Sequence, residues 1–97
     1  MADDSPKFRL KPVSLDVPEY SPETGLARPW PDEYSLRVDV SPTGQVVIQG
    51  DANGLRGLAV QLTALAQADV PAGYHADLDD VYRELDEGSM SLKIQRE

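Results

Sequence analysis

His75, Asp77 and Asp79 are the residues whose types and spacing come nearest to chemistry. On an extended strand they share one face, about 6 to 7 Å apart between neighbours from the strand rise. A histidine and two carboxylates can ligate a divalent cation, or pair as a base and the group that orients it. Both uses need more groups than these three. His75 is the one histidine, and there is no cysteine, so a relay has no second member and a thiolate site no ligand. The spacing reads as a solvated strand face, with no metal site and no catalytic residue.

Two other features of the sequence bear on chemistry. Gly50-Asp51-Ala52-Asn53-Gly54-Leu55-Arg56-Gly57 is glycine-rich and opens a helix, a place that attracts phosphate. It fits neither the dinucleotide fingerprint nor the P-loop, which needs a lysine and a hydroxyl residue. Asp51 would also repel an anion, so the stretch reads as a turn and a helix cap. None of the serines stands in a G-x-S-x-G elbow. With so small a core there is little room for a water-excluding pocket. The expectation is a non-enzymatic protein without a cofactor.

The elements that must position these residues follow from pattern. Six of the eight prolines lie in the first 33 residues: Pro6, Pro12, Pro18, Pro22, Pro29 and Pro31. Each fixes its own φ, removes a donor and pushes the residue before it away from helix. Residues 1–33 are expected to form an extended, flexible arm, with residues 34–97 as the folded domain. Arg28-Pro29-Trp30-Pro31 is the stiffest apolar point of the arm, and Trp30 is its candidate anchor, on a partner or on the domain's own core.

Beyond the arm the periodicity is clear. Leu36, Val38 and Val40 alternate with Arg37 and Asp39, the pattern of a half-buried strand. Ser41-Pro42-Thr43-Gly44 turns the chain. Residues 45–49 return with Val46 and Ile48 on one face, completing a hairpin. Then Leu55, Leu58, Ala59, Leu62, Leu65 and Ala66 recur at helical spacing. They predict an amphipathic helix over 52–68, with Leu62 in mid-stripe facing the core. Asp51 or Asn53 can cap it, and Pro71 and Gly73 lie beyond its end. Gly57 inside it, about 1 kcal/mol worse than alanine, marks a close approach to the sheet or a partner. Tyr74 to Asp79 alternates again, residues 80–88 read as a polar connection, and Met90, Leu92 and Ile94 carry a last strand. The order strand, strand, helix, strand, strand predicts an α+β fold, with one helix packed on a four-stranded, largely antiparallel sheet.

Composition bounds the partners. The 97 residues make one domain at most, and a folded part near 60 residues is marginally stable alone. Seventeen acidic residues against nine basic give a net charge of −8. A like-charged nucleic acid is disfavoured, and a basic protein partner is favoured. No apolar run approaches the roughly 20 residues that span a bilayer. The start, Met1-Ala2-Asp3-Asp4-Ser5-Pro6, is acidic where a secretory signal is basic and then apolar. The expectation is a cytoplasmic protein that does not bind membranes. Whether it forms a homo-oligomer is left open.

The second half of the chain carries a family resemblance. Val46-Val47-Ile48-Gln49-Gly50-Asp51, then Gly54-Leu55-Arg56-x-Leu58-Ala59 and Leu62-x-x-Leu65-Ala66, are similar to immunity protein family 32 of bacterial polymorphic toxin systems. So are Pro71-x-Gly73-x-His75, Leu78-Asp79, Leu85, Gly88-Ser89 and Leu92-x-Ile94. The resemblance spans about residues 46–94 and omits the arm. Where the family often has His-x-His-Leu-Asp, this chain has Asp77 in place of the second histidine, so a histidine pair does not carry over. The resemblance implies tight binding to a cognate toxin domain, a basic one given the charge. The rival reading is a regulatory or adaptor protein that engages another protein through the arm. Of the acids beyond the helix, Asp77, Asp79, Asp80, Glu84, Asp86 and Glu87 are the candidate partner-binding residues, together with Trp30. Connections on a rigid scaffold commonly carry recognition.

Overall fold

The alternation of Leu36 to Val40 forms β1 (Leu36–Val40), and β2 (Val46–Gly50) returns beside it antiparallel, Val38 opposite Ile48. The structure is a computed structural model that describes residues 7–97; the expectations for residues 1–6 lie outside them. Gly44 has a φ of 87°, and its N–H donates to the Ser41 carbonyl at 2.9 Å, closing the turn. Helix α1 (Ala52–Leu65) follows at once, because Asp51 is its N-cap: Oδ1 accepts from the Gly54 N–H at 2.7 Å. Asn53, the other candidate cap, instead donates to the Glu33 carbonyl. Strand β3 (His75–Leu78) pairs antiparallel with β4 (Leu92–Gln95), Leu78 opposite Leu92.

The fold is α+β, and its four strands form two separate two-stranded antiparallel sheets rather than the single expected sheet. The reason lies in residues 86–90. The Asp86 N–H donates to the Leu36 carbonyl and the Met90 N–H to the Val38 carbonyl, both at 2.8 Å. Four residues of this segment thus run parallel to two of β1. Gly88, with a φ of 85°, supplies the kink, and the mismatch breaks the ladder between the sheets.

The helix is rotated from its expected setting. Its buried residues are Gly54, Gly57, Leu58, Gln61, Ala64 and Leu65, the predicted stripe moved back by one position, a turn of about 100°. Leu58 is 8% exposed and in the core, whereas Leu62 is 47% exposed. The cause is what the glycine side receives. A Cβ on Gly57 would lie 2.8 Å from Trp30 Cε3, and one on Gly54 would run into the Ser35 carbonyl. Gln61, buried among these, donates to the Pro29 carbonyl at 2.7 Å.

Residues 18–31 are fastened to the domain by this logic. Gln67 Nε2 donates to the Pro18 carbonyl at 2.9 Å, and its Oε1 accepts from the Tyr20 N–H. The Leu26 N–H donates to the Tyr74 hydroxyl at 3.0 Å, and Tyr20 meets the Tyr74 ring edge-on at 5.5 Å. The segment makes no regular ladder of its own, so the side chains of Gln61 in α1, of Gln67 just after it and of Tyr74 just before β3 satisfy its backbone groups. Phe8, Leu10 and Val13, by contrast, are exposed. The core gathers Leu36, Val38, Leu58, Ala76, Leu78 and Leu85, with Trp30, Tyr34, Leu92 and Ile94 packed against it.

Candidate functional site: an acidic loop on a braced scaffold

The predicted site residues begin on β3. His75 and Asp77 share its exposed face, with His75 Nε2 3.3 Å from Asp77 Oδ2 and Nδ1 3.1 Å from the Gly73 carbonyl. Asp79 does not join them, because the strand ends at Leu78. Its Oδ1 turns to accept from the Val81 and Tyr82 N–H groups at 3.0 and 3.1 Å. Among the described residues no group of three or more histidines and carboxylates converges where it could hold a metal ion.

After Asp79 the chain forms a loop held from beneath. Leu85 is buried in the core, and its N–H donates to the Asp79 carbonyl at 3.0 Å, closing the loop at its base. The Tyr34 hydroxyl donates to the carbonyls of Arg83 and Glu84. Burial, and then the charges of Glu84 and Asp86, push that hydroxyl's pKa up, so it stays a donor. Arg83 takes a φ of 64°, a left-handed setting rare for a side-chain-bearing residue. Asp80 Oδ2 accepts from the Gly88 N–H at 2.9 Å, and Asp86 accepts from Ser35 Oγ at 2.6 Å. Arg37 donates to the Glu87 carbonyl and pairs with Asp39 at 2.8 Å.

The acids differ in what they have left to offer. Asp77 and Glu87 are exposed. Asp79 spends Oδ1 on two N–H groups, Asp80 spends one oxygen on the Gly88 N–H, and Asp86 spends both, on Ser35 Oγ and the Leu36 N–H, and all three stay partly exposed. Glu84 is largely enclosed, its side chain 15% exposed and 3.8 Å from Arg28. Burial, opposed by Arg28 and reinforced by Asp79 and Asp77, raises its pKa above the usual glutamate range. Asp80, Arg83, Leu85, Asp86 and Glu87 line an open depression at the foot of the loop. Val81 and Tyr82 stand at the tip, Tyr82 79% exposed. Sequence reasoning passed over both, although two large side chains in an otherwise charged connection were a readable signal.

Trp30 lies half-buried, stacked on Tyr34 at 5.2 Å and 14° between planes. Tyr34 links it to the acidic loop, whose carbonyls accept from the Tyr34 hydroxyl. A cleft of about 170 Å³ between Leu26, Arg28, Gln61, Leu65, Tyr74, His75 and Ala76 is smaller than ligand sites usually are. No helix among the described residues is long and apolar enough to cross a membrane.

This fold and surface define a small α+β domain that presents charge on a braced loop. The profile of the family described as Immunity protein 32 matches residues 45–97, more than half of the chain. The chain belongs to that family. The match opens at the hairpin turn, so β1 and the proline-rich segment lie outside it. No curated protein and no solved structure matches the chain.

Proposed function

We propose that this protein neutralises a cognate bacterial toxin by tight, non-catalytic binding. The partner surface is a basic one, and the acidic loop of residues 77–87 is what it meets. One observation carries the reading within a family of immunity proteins: six carboxylates lie on β3 and a single loop whose backbone is fixed by Leu85, Tyr34 and Asp79. A loop already held in one shape loses little conformational freedom on binding, and its charge accelerates encounter with a cation-rich partner. Asp77, Asp79, Asp80, Glu84, Asp86 and Glu87 supply that field. Trp30 takes part at the rim by bracing Tyr34. In the same proposal residues 34–97 are the binding domain and the segment before them is a strap.

The test is to capture the chain's partner from the native cell and to co-express the chain with it. The intact chain restores growth and is recovered in a one-to-one complex. Growth arrest unrelieved by an excess of folded protein would defeat the proposal.

A further inference from the structure

Strand β2 ends its sheet with a bare edge. The register, with Ser41 donating to the Gln45 carbonyl and Asp51 to the Ser35 carbonyl, turns the N–H and C=O of Gln45, Val47 and Gln49 toward β1. Those of Val46, Ile48 and Gly50 then point outward. Among the described residues none bonds to them. The opposite edge of the hairpin is covered, because Leu36 and Val38 accept from Asp86 and Met90. A long bare edge is a template for another strand, and proteins usually blunt one with charge or proline. β2 has neither: it reads Val-Val-Ile-Gln-Gly.

The surface around the edge is apolar. Val40, Val46 and Ile48 share the face of Leu36 and Val38 by register, yet Val46 is 59% and Ile48 43% exposed. Val47 on the other face is exposed too. Leu55 continues the patch: its Cγ would lie 3.5 Å from a Cβ on Gly50, and it is half exposed.

Charge decides the occupant. From residue 41 to 68 the sequence holds only Asp51 and Arg56 as charged residues, in a chain of net charge −8. A basic toxin finds no counter-charge on this patch. A second copy finds an identical neutral, apolar strip, where two such acidic molecules can meet without bringing acid against acid. An antiparallel strand is also its own complement about a two-fold axis. We infer that β2 is a homodimer edge: two copies pair their β2 strands antiparallel about Ile48, joining the two hairpins into one four-stranded sheet. The acidic loops stay outside this seam, so the inference stands apart from the toxin reading.

The experiment is sedimentation of the full chain over a wide concentration range, paired with residue-resolved amide exchange. The mass is expected to rise toward twice 10.6 kDa, and more readily at high salt, where the −8 charges are screened. Outward amides of Val46 and Ile48 are expected to exchange at least about tenfold more slowly in the dimer than in dilute solution. Ile48→Lys is expected to abolish the dimer. If that variant loses its fold, wild-type exchange decides alone. A chain monomeric at all concentrations would overturn the inference. So would a dimer that leaves Val46 and Ile48 unprotected, a dimer that survives in folded Ile48→Lys, or protection that comes only with toxin.

Discussion

Gly57→Ala tests the packing of the proline-rich segment on the helix. Alanine in a helix interior is about 1 kcal/mol better than glycine, so propensity alone predicts a gain. The added Cβ, however, would lie 2.8 Å from Trp30 Cε3, 3.0 Å from Cζ3 and 3.1 Å from Pro31 Cδ. These are rigid rings, and Trp30 is backed by Tyr34, so the segment must shift. The shift loosens the stack, worth about 0.5 to 1.5 kcal/mol, and the Gln61 to Pro29 hydrogen bond, worth about 0.5 to 1.5 kcal/mol. The balance is a net destabilisation of about 0 to 2 kcal/mol, a fall in Tm of up to about 10 °C for a domain this size. Trp30 is the only tryptophan, so its emission reports the movement directly and is expected to shift to the red. Gly54→Ala is expected to lose more, because its obstacle is the backbone carbonyl of Ser35, which also accepts from the Asp51 N–H. A Gly57→Ala protein that melts higher with unchanged emission would refute this account of the helix face.

Two further predictions concern the core and the loop. Leu58→Ala is expected to destabilise by about 2 to 5 kcal/mol, and Leu62→Ala, half exposed, by about 1 kcal/mol or less, in denaturant titrations at low protein concentration. Equal losses would place Leu62 in the core after all. Glu84 holds its proton more tightly folded than unfolded, so its charge opposes folding increasingly as pH rises above the ordinary glutamate value of about 4.3. Glu84→Gln is therefore expected to melt at or above the wild-type temperature at pH 7, with the difference gone by about pH 3; a variant clearly less stable at pH 7 would mean that Arg28 outweighs burial.

What the sequence disclosed was local. The hairpin, the helix and the alternation of β3 and β4 depend on neighbours within a few residues, and the period exposes them. The helix setting did not follow, because counting apolar residues ignores what glycine and glutamine do on an inner face. Proline carbonyls at 18 and 29 need donors, and Gln67 and Gln61 provide them. Placing Asp79 on a strand face overlooked that a short carboxylate is often taken by its own turn. Leu85 is buried within a stretch read as a polar connection, which a single apolar residue among charges cannot signal by period. The divided sheet depends on the kink at Gly88, a tertiary pairing with β1 that no local pattern encodes. The run of acids was legible from charge alone; the hydrogen bonds of Tyr34 and Asp79 that brace it were not.

The acidic loop is most directly tested by the rate at which the cognate toxin associates. Asp79→Asn, Asp80→Asn and Glu84→Gln together keep the acceptor atoms that shape the loop while removing three charges. Stopped-flow mixing at two salt concentrations is expected to show slower association and a flatter salt dependence than wild type, with a smaller change in dissociation. An association rate and salt slope equal to those of the wild type would contradict the assignment of this loop as the docking surface.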